Sequence, residues 1–303
     1  MAVMDSVMAV MNNVSQSRRA IIQLNLAVAL FGLAGLLGKA TSASPIMLVA
    51  GRTAFGSIAF GLLLTTGQMK WPGGPPRRMG KLALPGLLLA FHWISFFESI
   101  RVSNVAIALL TYSSCPVFVT IFEPLLFSRR RRSIDAVTAG LVLAGVLILV
   151  PAFDLKNSTT AGICWGLVSG LSFAALMLLN RKLTDQFSAA IVTAGQCAFA
   201  ALALILLLPA YYQPLELRDW GLLVILGVVF TALAHFLFIQ SLTRVPAQLA
   251  SIVSSMESVY GVLFAWMILG EVPSLRTWMG GMLILAAVIL AARAEVPASS
   301  RNI

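Results

Sequence analysis

Apolar residues run almost unbroken through this chain, in stretches of about 20 separated by short polar clusters. At about 1.5 Å per residue, each stretch is a helix long enough to cross the roughly 30 Å hydrocarbon core of a bilayer. Ten stretches qualify: residues 20–38, 45–66, 82–100, 104–127, 133–152, 161–180, 188–209, 220–241, 246–269 and 275–293. They are apolar throughout and lack the every-second-residue alternation of a membrane β-barrel strand. The pattern therefore predicts an all-α integral membrane protein with ten transmembrane helices.

Composition excludes the alternative of a water-soluble globule. Of the 303 residues, 59% are hydrophobic and only 11% charged, and the mean hydropathy is +0.93. Basic residues then give the orientation. Arg18, Arg19, Lys70, Arg77, Arg78, Lys81, the Arg129 to Arg132 run, Arg181, Lys182, Arg244, Arg293 and Arg301 fall on one side of the ten-helix path. Only Lys39, Arg101, Lys156, Arg218 and Arg276 fall on the other. The excess of Lys and Arg marks the cytoplasmic side, so both termini are expected to be cytoplasmic. The net charge of +10 follows from this topology. The four-arginine run, closely bounded by two apolar stretches, reads as a topology anchor, and no nucleic-acid partner is expected.

Arg18-Arg19, an apolar run and then Ser42-Ala43-Ser44 imitate a secretory signal, but the run is about twice the usual length, so a retained helix is expected. Cys115, Cys164 and Cys197 lie inside apolar stretches without a CxxC pair, so no disulfide, metal or cofactor is expected.

The two halves of the chain repeat each other. Ala50-Gly51-Arg52-Thr53-Ala54-Phe55 matches Ala194-Gly195-Gln196-Cys197-Ala198-Phe199, and His92-Trp93 matches His235-Phe236. Further on, Ser113-Ser114 pairs with Ser254-Ser255 and Gly140 with Gly281. The organisation expected is a segment 1–19, a first five-helix repeat 20–152, an outer linker 153–160, a second repeat 161–293 and a tail 294–303. Five helices per repeat make the two units inverted in the membrane, an arrangement that brings equivalent helices together at a central site in secondary transporters.

Polar residues inside the spans mark that centre, because ionisable groups in lipid are costly unless they face a cavity or a partner. His92, Ser95, Phe96 and Ser99 fall on one helical face in the third span. Tyr112 and Ser113 follow in the fourth, His235 in the eighth, and Ser254, Glu257 and Tyr260 in the ninth. These ten are the expected substrate-binding residues. The competing reading of such residues is interhelical hydrogen bonding between packed helices. Arg52, the basic residue deep inside a span, can bind a substrate carboxylate, pair with a glutamate or snorkel; pairing with Glu98 is the expectation. Pro116 is expected to mark a bend near the site. Gly162, Gly166 and Gly170, spaced by four, read as a packing face.

With ten spans, an internal duplication, Arg52 in span two, Pro116 in span four, and Met256-Glu257-Ser258-Val259 leading to Leu269-Gly270-Glu271, the chain resembles the EamA-type drug/metabolite transporters. It departs from their pattern at Ser258, where the family often has proline, and at Arg129 to Arg132, where the first half lacks the Gly-Glu that closes span four. The resemblance implies a multi-pass inner-membrane exporter of amino acids and related metabolites. Its partners would be a small-molecule substrate and the lipid bilayer, and a monomer is expected. A multidrug exporter of lipophilic cations such as methyl viologen, using Glu98 or Glu257 as counter-charge, is the alternative. An enzyme is not expected, since the chain has neither HExxH nor Gly-x-Ser-x-Gly.

Overall fold

Several helices begin at a side-chain cap. Ser44 accepts from the Met47 amide ahead of Pro45, Asn104 accepts from Ile107, Asn157 from Thr159 and Thr160, and Ser188 from Ile191. A computed structural model describes residues 2–70, 76–127, 133–149 and 156–295. The Arg129 to Arg132 run, residues 153–155 of the expected linker and residues 296–303 of the expected tail lie outside them.

The described residues form helices α1 (Ala2–Lys39), α2 (Pro45–Thr65), α3 (Ala83–Val102), α4 (Val105–Tyr112), α5 (Cys115–Phe127), α6 (Ser133–Leu149), α7 (Ser158–Leu183), α8 (Ala189–Ile205), α9 (Leu208–Tyr211), α10 (Leu217–Gly227), α11 (Ala234–Leu242), α12 (Ala247–Ser254), α13 (Met256–Leu269) and α14 (Leu275–Glu295). A 3₁₀ segment, Pro76–Leu82, precedes α3, and a π-helical turn, Val228–Leu233, joins α10 to α11. Seven helical stretches are long and apolar enough to cross a membrane. Shorter apolar helices, Ala136–Leu149, Ala189–Ile205 and Leu275–Ala287, lie where the other three stretches were expected.

Large apolar side chains such as Leu62, Leu125, Leu202, Trp220, Met267 and Leu290 are turned outward. Polar ones such as Arg52, Ser99, Thr111, Gln196 and Ser251 are buried. This inverts the distribution of a soluble protein and suits a chain whose solvent is lipid.

The duplication is visible in how the helices touch. At Gly227 a Cβ would stand 2.5 Å from Phe55 Cβ and 2.9 Å from Arg52 O. At the equivalent Gly86 it would stand 2.6 Å from Phe199 Cβ and 3.0 Å from Gln196 O. The same contact is thus made twice, with the halves exchanged. α6 and α14 cross at a pair of glycines, since a Cβ on Gly145 would meet Gly280 O at 2.8 Å and one on Gly280 would meet Gly145 O at 2.7 Å. Gly162, Gly166 and Gly170 receive Ser103, Thr111 and Ser114, so the glycine stripe of α7 is a packing face. Replacing Gly86 by Ala is expected to cost about 1–3 kcal/mol, because neither Phe199 Cβ nor the Gln196 carbonyl can move away. Thermal unfolding in detergent measures it.

Two spans are broken at equivalent places. α4 ends at Tyr112 and α5 starts at Cys115, with Ser113 and Ser114 between; α12 ends at Ser254 and α13 starts at Met256. Hydroxyls at the breaks bond carbonyls one turn back: Ser113 to Leu109 at 3.1 Å, Ser254 to Ala250 at 2.8 Å and Ser255 to Ser251 at 3.2 Å. Serines used this way loosen a helix. Pro116, expected to mark a bend, stands in the first turn of α5 directly after the break, where its missing N–H is no loss. The break lies ahead of it, and the second half breaks at Ser255 with no proline at all.

Candidate functional site

A cleft opens between the halves, built from α1, α2, α3, α4, α7, α11 and α13. Its walls are Phe31 and Ala34, Arg52, His92, Trp93, Phe96 and Phe97, Tyr112, Phe173, His235 and Glu257. Both histidines lie against aromatic rings: His92 is 4.8 Å from Phe173 and 5.6 Å from Tyr112 between ring centroids, and His235 is 5.7 Å from Trp93. Glu257 and Tyr112 face each other across the cleft wall and are 5% and 3% exposed.

The hydrogen bonds assign each imidazole a tautomer. His92 Nδ1 lies 3.0 Å from both the carbonyl and the hydroxyl of Ser169; because the carbonyl can only accept, Nδ1 carries the proton and Nε2 is left as the acceptor. His235 donates from Nε2 to Gln196 Oε1 at 3.1 Å, and Gln196 in turn donates to Asn180. His235 Nδ1 is then a buried acceptor with no partner among the described residues. Two equivalent histidines therefore carry opposite tautomers, each with one ring nitrogen held by the protein and the other an acceptor.

Five of the ten expected binding residues meet in this cleft: His92, Phe96, Tyr112, His235 and Glu257. The other five do not line it. Ser95 bonds the Phe91 carbonyl at 2.8 Å, and Ser99 bonds Gly162 O of α7 at 2.6 Å. Ser113 bonds Ser258 besides Leu109, Ser254 bonds its own helix, and Tyr260 packs its Cβ beside Gly32. Their polarity is spent on helix carbonyls and packing.

Arg52 also departs from expectation. Glu98 is paired with Arg101, one turn on, with Nε donating to Oε2 at 2.7 Å. Arg52, 1% exposed, donates Nε to Thr231 Oγ1 at 2.8 Å and Nη2 to Phe230 O at 3.0 Å. Its Cζ stands 3.9 Å from the Trp93 ring centre. Phe31 and Phe173 were not singled out from the sequence, because nothing separates them from other apolar residues of their spans. Among the described residues, no group of three or more potential ligands could hold a metal.

Polar clefts flank the site. Gly38, Lys39, Thr41, Leu48, Phe97 and Arg101 line one, so Phe97 is a wall shared with the central cleft. Near it Glu271 pairs with Lys39 and accepts from the Val105 amide at 3.2 Å, tying the ends of α1 and α13 to the start of α4. The end of α7 is tied to α5 by the Arg181–Glu123 ion pair at 2.7 Å.

Comparison with known proteins agrees with the duplicated helical architecture. The model of the EamA-like transporter family matches twice, over residues 18–150 and 160–293. The chain is 23% identical to the uncharacterized transporter YxxF of Bacillus subtilis, over 91% of this chain and 90% of that one. It is 26% identical to the pseudopaline exporter CntI of Pseudomonas aeruginosa, covering 88% of this chain and 93% of the relative. The biotin transporter of Escherichia coli is 26% identical over 76% of this chain and 79% of its own. One crystal structure superposes with a TM-score of 0.68 at 18% identity, covering 94% of this chain and 99% of the other, and so shares the fold. With both halves matched, the chain belongs to the EamA-like transporter family of multi-pass inner-membrane proteins.

Proposed function

We propose that the protein exports amino acids, aromatic and other neutral ones among them, and related metabolites. Transport proceeds by alternating access between two inverted five-helix repeats, 20–152 and 161–293, with both termini cytoplasmic and a monomer as the working unit. The observation that carries this reading is the meeting, in one buried cleft, of an aromatic wall with Glu257 and two histidine acceptors drawn from both halves. A substrate ammonium suits Glu257, His92 Nε2 and His235 Nδ1, and its side chain suits Phe31, Phe96 and Phe173. The charge of Arg52 behind Trp93 opposes a substrate carboxylate through a medium of low dielectric. The resemblance to EamA-type exporters of amino acids supports the substrate class, and the relatives named for pseudopaline export and biotin transport support small metabolites more broadly.

The export of lipophilic cations is the second reading, favoured by one observation: a carboxylate beside several rings is also a seat for a quaternary or aromatic cation. Counterflow of labelled phenylalanine, threonine and methyl viologen in proteoliposomes separates the two. Saturable exchange of the amino acids, competed by unlabelled neutral amino acids, is expected. Exchange of methyl viologen alone would replace this reading with the second.

A further inference from the structure

Arg52 and Gln196 hold equivalent positions in the repeat, and a symmetric protein would direct one at span eight and the other at span three. Both act on span eight. Gln196 accepts from His235 Nε2 at 3.1 Å. Arg52 grips the π turn just before that histidine, through the Phe230 carbonyl at 3.0 Å and the Thr231 hydroxyl at 2.8 Å. The equivalent histidine, His92, is fastened instead to Ser169 of α7, and α3 runs without a π turn.

A π turn carries one more residue than an α turn, so it rotates all that follows by about 100° relative to a continuous helix. His235 is the second residue after Val228–Leu233, and its direction depends on that turn. The backbone of α2 presses on the same place: a Cβ on Gly56 would meet Gly227 O at 3.3 Å and Thr231 Cγ2 at 3.4 Å. The Arg52 guanidinium also covers the Trp93 ring at 3.9 Å, and Trp93 packs on His235.

We propose that Arg52 is a positioning residue, pinning the π turn and so setting the direction and tautomer of His235 in the substrate cleft. The planar fork of arginine is what the task requires, since it reaches a carbonyl and a hydroxyl on one helix face at once. The proposal makes one half of the duplicated site dependent on α2 and the other on α7, so the two histidines are separable by mutation. Its consequence for transport rests on the reading of the cleft given above, but its geometry does not.

Ring ¹⁵N spectra of histidine-labelled protein in detergent test it without any substrate. The chain has 2 histidines, so H92Q assigns both. Wild type is expected to show His92 protonated at Nδ1 and His235 at Nε2. In R52Q and R52K the His235 signals should move toward a mixture of tautomers while those of His92 stay in place. T231V should do the same in part and T231S should not, which keeps the test open if R52Q fails to fold. An R52Q or T231V spectrum with His235 unchanged, or one in which both histidines move together, overturns the proposal. In counterflow, R52Q should raise KM about fivefold or more through the misdirected acceptor. Loss of that effect with the tautomer change intact would count against the transport reading and leave the positioning role standing.

Discussion

Replacing Glu257 by Gln is expected to weaken exchange of a neutral amino acid by about 30-fold or more, the equivalent of losing about 2 kcal/mol from a desolvated charge contact. The carboxyl is 5% exposed and stands among rings and Tyr112, so its interaction with a substrate ammonium is little screened by water. Gln keeps the shape and removes the charge. Counterflow KM and Vmax for phenylalanine provide the measurement, with thermal unfolding to show that the fold persists. A change below threefold would mean that Glu257 does not meet the ammonium and that the histidines carry recognition alone.

Replacing His92 by Phe should reduce apparent affinity by about 10- to 150-fold, the range for one hydrogen bond to a charged group. An aromatic ring and its stack on Phe173 are retained, one ring atom larger, while the nitrogens go. The Ser169 carbonyl keeps a partner, because Ser172 Oγ donates to it at 3.0 Å, so little stability should be lost. A large loss of affinity with unchanged unfolding temperature identifies Nε2 as a substrate acceptor. Unchanged affinity with lower stability would make His92 a packing residue.

The duplication and the centre of the site were readable in the sequence because they rest on rare residues. Two histidines at matched positions, and one glutamate and one tyrosine at the second broken helix and the first, stand out against solidly apolar spans, and they meet in the cleft. The serines misled for a physical reason. A hydroxyl in lipid finds a carbonyl four residues back, as Ser95 and Ser254 do, so polarity alone does not say which way a helix faces. Phe31 and Phe173 were hidden by the opposite problem, since in helices apolar on every side no periodic signal separates the face toward the cleft from the face toward lipid. Arg52 misled because an acid-base pairing was the simplest partner for a buried cation, whereas its acceptors are a backbone carbonyl and a threonine in a π turn that local propensity does not announce.

Gly86 and Gly227 each receive the other half's phenylalanine and the carbonyl three residues before it, Phe199 with Gln196 and Phe55 with Arg52. Such a surface is isologous, the kind by which a twofold dimer recognises itself. Each half of this chain therefore presents to its fellow what one subunit of a homodimer presents to another, and covalent linkage serves to free the two copies to differ. They have done so where Arg stands opposite Gln, and a severed chain expressed as two separate halves should reassemble through Gly86 and Gly227.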